Sequence, residues 1–259
     1  MDVATLIGIG AAFAAIIMSM IMEGSTPMSV ILPAPMLLVI GGTVGAGLAS
    51  TTLGDFIRAF SGLQRFMLFK KPDMNASVDT IVSLADKARR EGLLALEEVA
   101  KDIDDDFLKD GLQSAIDGTD PDDLRALMEA RIDAKRARDK VMAKIFSDMG
   151  GYAPTIGIIG TVVALVHVLG NLSDPSSIGE SIASAFVATL WGLLSANLIW
   201  LPIASRIKRV AELESAHMEL VMEGLLAIQA GGNPRVVGQR LRSLVPDQPK
   251  QPKQAKEAA

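Results

Sequence analysis

All 25 Lys and Arg residues of this chain fall in two windows, sixteen between Arg58 and Lys144 and nine between Arg206 and Lys256. Residues 1–57 and 145–205 carry none. The same regions hold four stretches free of any Asp, Glu, Lys or Arg. They are Val3–Met22 (20 residues), Gly24–Gly54 (31), Met149–Ser173 (25) and Ser181–Ser205 (25). A membrane-spanning helix needs about 20 mostly apolar residues at about 1.5 Å rise each. All four stretches qualify. Pro33 and Pro35 stand near the start of the second and place its span at about Pro35–Thr52. One large soluble core would instead need four uncharged helices packed together with no amphipathic pattern.

Basic residues in short flanks favour the cytoplasmic side. The connections Glu23–Pro33 and Leu169–Glu180 hold no Lys or Arg and are expected to face outward. The loop at 55–148 and the tail after Arg206 are expected in the cytoplasm, with both termini inside. A cleavable signal wants a basic leading region, and nothing basic precedes Arg58. The chain has no Cys, which removes disulfides, zinc thiolates and thiol nucleophiles. Its net charge of −5 argues against nucleic acid as a partner, while the four apolar stretches make membrane lipid the expected surroundings.

The expected fold is an all-α membrane protein, with four transmembrane helices and a helical cytoplasmic domain between spans 2 and 3. The division reads 1–52 for spans 1 and 2, 53–150 for the cytoplasmic domain, 151–208 for spans 3 and 4, 209–245 for C-terminal helices and 246–259 for a disordered tail. Thr119-Asp120-Pro121-Asp122-Asp123 reads as a helix start, with Asp120 as cap and Pro121 in the first turn. The apolar residues that follow keep helical spacing and lead toward the third span. A second amphipathic stretch covers Val78–Arg90, broken by Gly92. A helix over Ile203–Gln229 ends at Gly231-Gly232, and Arg235–Leu244 forms a last short one. The tail is Pro, Lys, Gln and Ala.

Enzyme motifs are absent from the sequence. Gly157-Ile158-Ile159-Gly160-Thr161 lacks the Lys of a phosphate loop and lies in an apolar span. Polar side chains in the spans are few: Thr155, Thr161 and His167 in the third, Ser184, Thr189, Ser195 and Asn197 in the fourth. A hydroxyl there ordinarily bonds a helix carbonyl one turn back, or lines a path. His167 is expected as a neutral ring near the outer interface. Pro154 and Pro202 mark the cytoplasmic ends of the two spans, as punctuation or as hinges. No Asp or Glu lies within any of the four stretches. A cation crossing a low-dielectric core needs such a group, so another chain must supply it.

At this point the residues resemble the A subunit of the bacterial flagellar stator, the MotA/PomA family. The matching segments are Met1-Asp2-Val3-Ala4-Thr5-Leu6-Ile7-Gly8, Ala88–Glu98, Ala153-Pro154 through Thr161, Ala188–Gly192, Pro202-Ile203-Ala204, and Gly224–Gln229 with Asn233-Pro234-Arg235. The resemblance implies a bacterial inner-membrane stator subunit, not an enzyme, with no cofactor beyond the transported Na+ or H+. It implies five copies around two MotB/PomB-like B subunits whose spans carry the ion-binding aspartate, and a FliG-like rotor switch protein as further partner. It implies Thr161 and Thr189 in the ion pathway, Pro154 and Pro202 as hinges, and Arg89, Arg90 and Glu97 at the rotor interface. Threonine at position 161 goes with sodium in the family, so sodium is favoured over protons.

Two departures stand out. Gly151 occupies a position often acidic in the family, with Asp148 one turn earlier as the candidate substitute. Ala188 precedes Thr189 where sodium-type members often have a second threonine. The alternatives are an ExbB/TolQ-type energiser, whose chains have one span before the large loop, and a membrane scaffold packed through Gly41, Gly45 and their small neighbours.

Overall fold

The computed structural model describes residues 3–170 and 175–245. Helices are the only regular elements among them. In chain order they are α1 (Val3–Met22), α2 (Pro33–Ala49), α3 (Leu53–Ser61), α4 (Leu63–Met67), α5 (Met74–Glu91), α6 (Glu97–Lys101), α7 (Asp106–Ile116), α8 (Pro121–Gly170), α9 (Pro175–Ser195), α10 (Leu201–Gln229) and α11 (Pro234–Leu244). Two helical runs, Pro121–Gly170 and Ile178–Gln229, are long and apolar enough to cross a membrane. The other apolar helices, α1 and α2, are shorter. The tail after residue 245 lies outside the described residues.

The chain divides into two compact units. The first is Met1–Lys70 with Arg136–Glu212, the second Lys71–Lys135 with Leu213–Ala259. The long helices α8 and α10 give one segment to each. The division comes later than the first charged residue because α3, α4 and residues 136–150 of α8 share one core. Phe66, Phe146, Met149, Ile207 and Val210 are buried there together. Phe60 stacks tilted against Phe56 at 4.8 Å and Phe146 at 5.1 Å between ring centroids.

Within this first unit, glycines set how closely helices approach. A Cβ on Gly47 of α2 would lie 2.6 Å from Met149 Cγ, and one on Gly42 would lie 3.0 Å from Ile156. Gly41 meets only its own helix's Leu37 at 3.9 Å, and Gly45 meets nothing within 4 Å. Small residues are therefore used here as expected, but on the adjacent face of α2. The helix itself begins at Pro33 and ends at Ala49, a little earlier than the expected span. Proline suits the first turn because the N–H it lacks has no helical acceptor there.

Pro202 does not end the fourth helix. The helical run continues from α9 through a π turn at Ala196–Trp200 into α10. Leu201 donates its N–H to Ala196 O, five residues back. The widened turn absorbs the missing donor and ring of Pro202 without a break. Pro154 likewise lies inside α8.

In the second unit, α5 buries Met74, Val78, Ile81, Leu84 and Ala85 along one face. The helix starts four residues earlier than its amphipathic pattern, because Asp73 Oδ1 accepts from Asn75 and Ala76 N–H. It stops at Gly92, whose φ of +86° favours glycine. These side chains pack with Leu112, Leu124, Met128, Leu220, Leu225 and Leu241. Asp120 Oδ1 accepts from Asp122 N–H at the start of α8, as its sequence predicts.

Candidate functional site

Polar side chains of α8, α9 and the π turn that follows α9 behave in two ways. Thr155 donates to Tyr152 O at 2.8 Å, Ser195 to Gly192 O at 3.3 Å and Asn197 to Leu193 O at 2.9 Å. These are local bonds that satisfy a polar group within its own helix. Thr161 reaches further. Its hydroxyl lies 3.2 Å from Gly157 O on its own helix, 3.3 Å from Ala185 O on α9 and 2.6 Å from Thr189 Oγ1. Two hydroxyls from neighbouring helices thus share one short hydrogen bond, and both are half-buried.

The glycine motif makes that meeting possible. A Cβ on Gly157 would lie 2.9 Å from Ala188 O and 3.2 Å from Thr189 Cα. One on Gly192 would lie 2.8 Å from Ala153 O, and one on Gly160 would lie 2.7 Å from Ala188 Cβ. Backbones approach this closely only where side chains are absent. Gly157-Ile158-Ile159-Gly160-Thr161 is therefore a packing motif that carries Thr161 to α9. Ala188, where a second threonine was a possibility, is buried against Gly160 in that same seam.

Both prolines flank another close approach. A Cβ on Gly150, one turn before Pro154, would lie 2.6 Å from Leu201 Cδ2, and Leu201 precedes Pro202. Asp148 is held by Lys144, whose Nζ lies 2.6 Å from Asp148 Oδ2. That hydrogen bond and the carboxylate charge raise the Lys144 pKa above the ordinary lysine value.

Adjoining the threonine pair, through Gly160 and Ala188, lies a cavity of about 550 Å³ between α2, α8 and α9. Ala34, Pro35 and Leu38 form its α2 wall, and His167, Glu180, Ser181 and Ser184 supply its polar lining.

Comparison with known proteins decides the family. The model of the MotA/TolQ/ExbB proton channel family matches residues 99–220. The chain is 37% identical over 243 residues to chemotaxis protein PomA of Vibrio alginolyticus, covering 94% of this chain and 95% of the relative. It is 35% identical over 250 residues to motility protein A of Bacillus subtilis, covering 95% and 92%. The chain belongs to the MotA/PomA family. Proteins of this family are embedded in membranes. A solved structure of C. jejuni MotAB superposes with a TM-score of 0.91 at 26% identity, covering 98% of this chain and 100% of that one. The flagellar MotAB stator complex from Bacillus subtilis gives 0.86 at 34% identity, covering 93% and 95%.

The residues that the MotA/PomA resemblance assigns to the rotor interface lie in the second unit. Arg89 and Arg90 lie in the last turn of α5, Glu97 begins α6, and all three are exposed. Arg90 pairs with Asp86 of its own helix at 2.9 Å. The same unit holds a Ser, a His and an Asp together. Ser77 Oγ lies 2.8 Å from His217 Nε2, and His217 Nδ1 lies 3.7 Å from Asp105 Oδ2. Ser77 also donates to Asp73 O at 3.2 Å, and Asp105 caps α7. The serine proton is engaged by backbone, which suits a packing network rather than a nucleophile. Sequence spacing gave no sign of this network or of Glu180, which only bounds the fourth uncharged stretch.

Proposed function

We propose that this chain is an A-type stator subunit of the bacterial flagellar motor that couples inward cation flow to torque on the rotor. The observation that carries this reading is the Thr161–Thr189 hydroxyl pair, set across α8 and α9 in a chain whose uncharged stretches contain no carboxylate. Hydroxyl and carbonyl oxygens can replace part of a cation's hydration shell, but without a negative charge they hold it weakly in a low-dielectric core. A B-type subunit supplies the missing aspartate beside them. Support comes from the full-length likeness to MotA/PomA chains and from solved relatives in which the A and B subunits form a complex.

In this reading α1, α2, the C-terminal part of α8 and the run through α9 form four crossings of the inner membrane, with both termini in the cytoplasm. Five copies surround two B subunits. Pro154 and Pro202 let the helices adjust as ions pass. Arg89, Arg90 and Glu97 meet a FliG-like rotor protein through exposed charge, which gives attraction that releases quickly. Sodium is favoured over protons because the Thr161 hydroxyl adds an oxygen ligand that a proton path does not require.

Co-expression with the neighbouring gene tests this. The partner that co-purifies should have one span, an intramembrane aspartate and a peptidoglycan-binding domain, inside a five-fold ring of this chain. Purification of this chain as a ring without such a partner would support the scaffold reading instead.

A further inference from the structure

The cavity between α2, α8 and α9 combines four polar side chains in an otherwise apolar wall. His167 comes from α8, and Glu180, Ser181 and Ser184 come from α9. A carboxylate, an imidazole and two hydroxyls are oxygen and nitrogen donors able to meet a small cation. Among the described residues no three His, Asp or Glu side chains come together as a metal cage, so a resident divalent ion is not suited. One carboxylate with neutral donors suits a monovalent ion that must also leave.

Size and position agree with that. An ion with about six waters takes roughly 200 Å³ at about 30 Å³ per water, which fits a cavity of about 550 Å³. The cavity is walled by Gly160 and Ala188, which immediately precede Thr161 and Thr189. Ser184 also lines it, next to Ala185, whose carbonyl oxygen lies 3.3 Å from the Thr161 hydroxyl.

We infer that this cavity is a vestibule that binds a hydrated monovalent cation through Glu180, His167 and the two serine hydroxyls before the ion reaches the threonine pair. The inference rests on the ion-path reading above and adds a second site to it. Glu180 raises the local cation concentration, as a single-sign cleft with low-dielectric walls does. It stores no ion permanently and takes no part in the transfer at the threonines.

The test is swimming speed against external sodium, with choline replacing sodium at constant ionic strength, in cells carrying the full complex. The same comparison against external pH in sodium-free medium covers a proton-driven motor. Glu180→Gln keeps the shape of the side chain and should raise the half-saturating ion concentration about three- to tenfold, with maximal speed unchanged. Added choline chloride should shrink that difference, because salt screens the carboxylate. His167→Lys places a fixed positive charge in the cavity and should shift the curve further in the same direction. Co-purification of the partner confirms assembly of each variant. An unchanged half-saturating concentration in both titrations, or a lower maximal speed with no shift, would overturn the vestibule. Thr189→Val serves as the control: if it stays immotile while Glu180→Gln shows no shift, the ion-path reading stands without the vestibule. If Thr189→Val swims normally, both fall.

Discussion

Thr161 Oγ1 and Thr189 Oγ1 lie 2.6 Å apart, one on α8 and one on α9. Each helix therefore presents its hydroxyl to the other at one level of the bundle. Two hydroxyl oxygens and the carbonyls of Gly157 and Ala185 converge there.

Thr189→Val removes one hydroxyl and keeps the shape of the side chain. Thr161 retains its two carbonyl acceptors, so the loss in stability is about 1 kcal/mol. Torque should be abolished while partner co-purification stays at the parental level. Motility in soft agar and tethered-cell rotation measure the first, and affinity capture of the partner measures the second.

Thr161→Ala should act on the ion rather than on the fold. The substituted helix keeps its seam glycines, so thermal unfolding in detergent should shift by only a few degrees. The sodium concentration for half-maximal swimming should rise several-fold. An unchanged sodium curve would remove the preference for sodium.

The seam itself can be tested with two alanines. Gly157→Ala brings a Cβ to 2.9 Å from the Ala188 carbonyl oxygen, and backbone cannot easily give way. A loss of about 1–3 kcal/mol is expected. Gly151→Ala is the matched control, since a Cβ there meets nothing within 4 Å. Its helix should be unchanged or slightly stabilised, by up to about 1 kcal/mol. Equal unfolding temperatures for the two variants would show that the seam is not closed as described.

Arg90 is paired with Asp86, not with Glu97. Arg90→Glu breaks an exposed pair worth about 0.5 kcal/mol or less, so the second unit should remain folded by circular dichroism. Torque should fall. Combining it with Glu97→Arg should give no rescue, because the two charges do not hold one another. Rescue should come only from a charge reversal on the rotor protein, scored by swimming in the doubly altered strain.

Sequence patterning revealed the longer helices and several of their ends, but not α3, α4 or α7. Gly92, Asp120 and Gly231-Gly232 carry local chemistry that neighbours do not override. The resemblance singled out Thr161 and Thr189 one by one, and their direct contact was not legible in the sequence. Twenty-eight residues separate them, and only the glycine seam makes the contact. The helix continuing past Pro202 was legible, but the π turn that carries it there was not, since it depends on packing that spacing does not encode. Choosing Gly42 and Gly47 over Gly41 and Gly45 is likewise a matter of which face meets Ile156 and Met149. Glu180 and His167 share a cavity only because α8 and α9 pack side by side, and nothing in their spacing announces it.

The central claim is that this chain works an ion gradient only beside a partner that brings a carboxylate. Rotation of tethered cells tests it most directly, in a strain lacking both native stator genes. Rotation should appear when this chain is expressed with its partner. It should be absent with this chain alone, and absent when the partner's intramembrane aspartate is changed to asparagine. Sustained rotation with the asparagine variant would contradict the account, since this chain would then be handling the cation without a charge of its own.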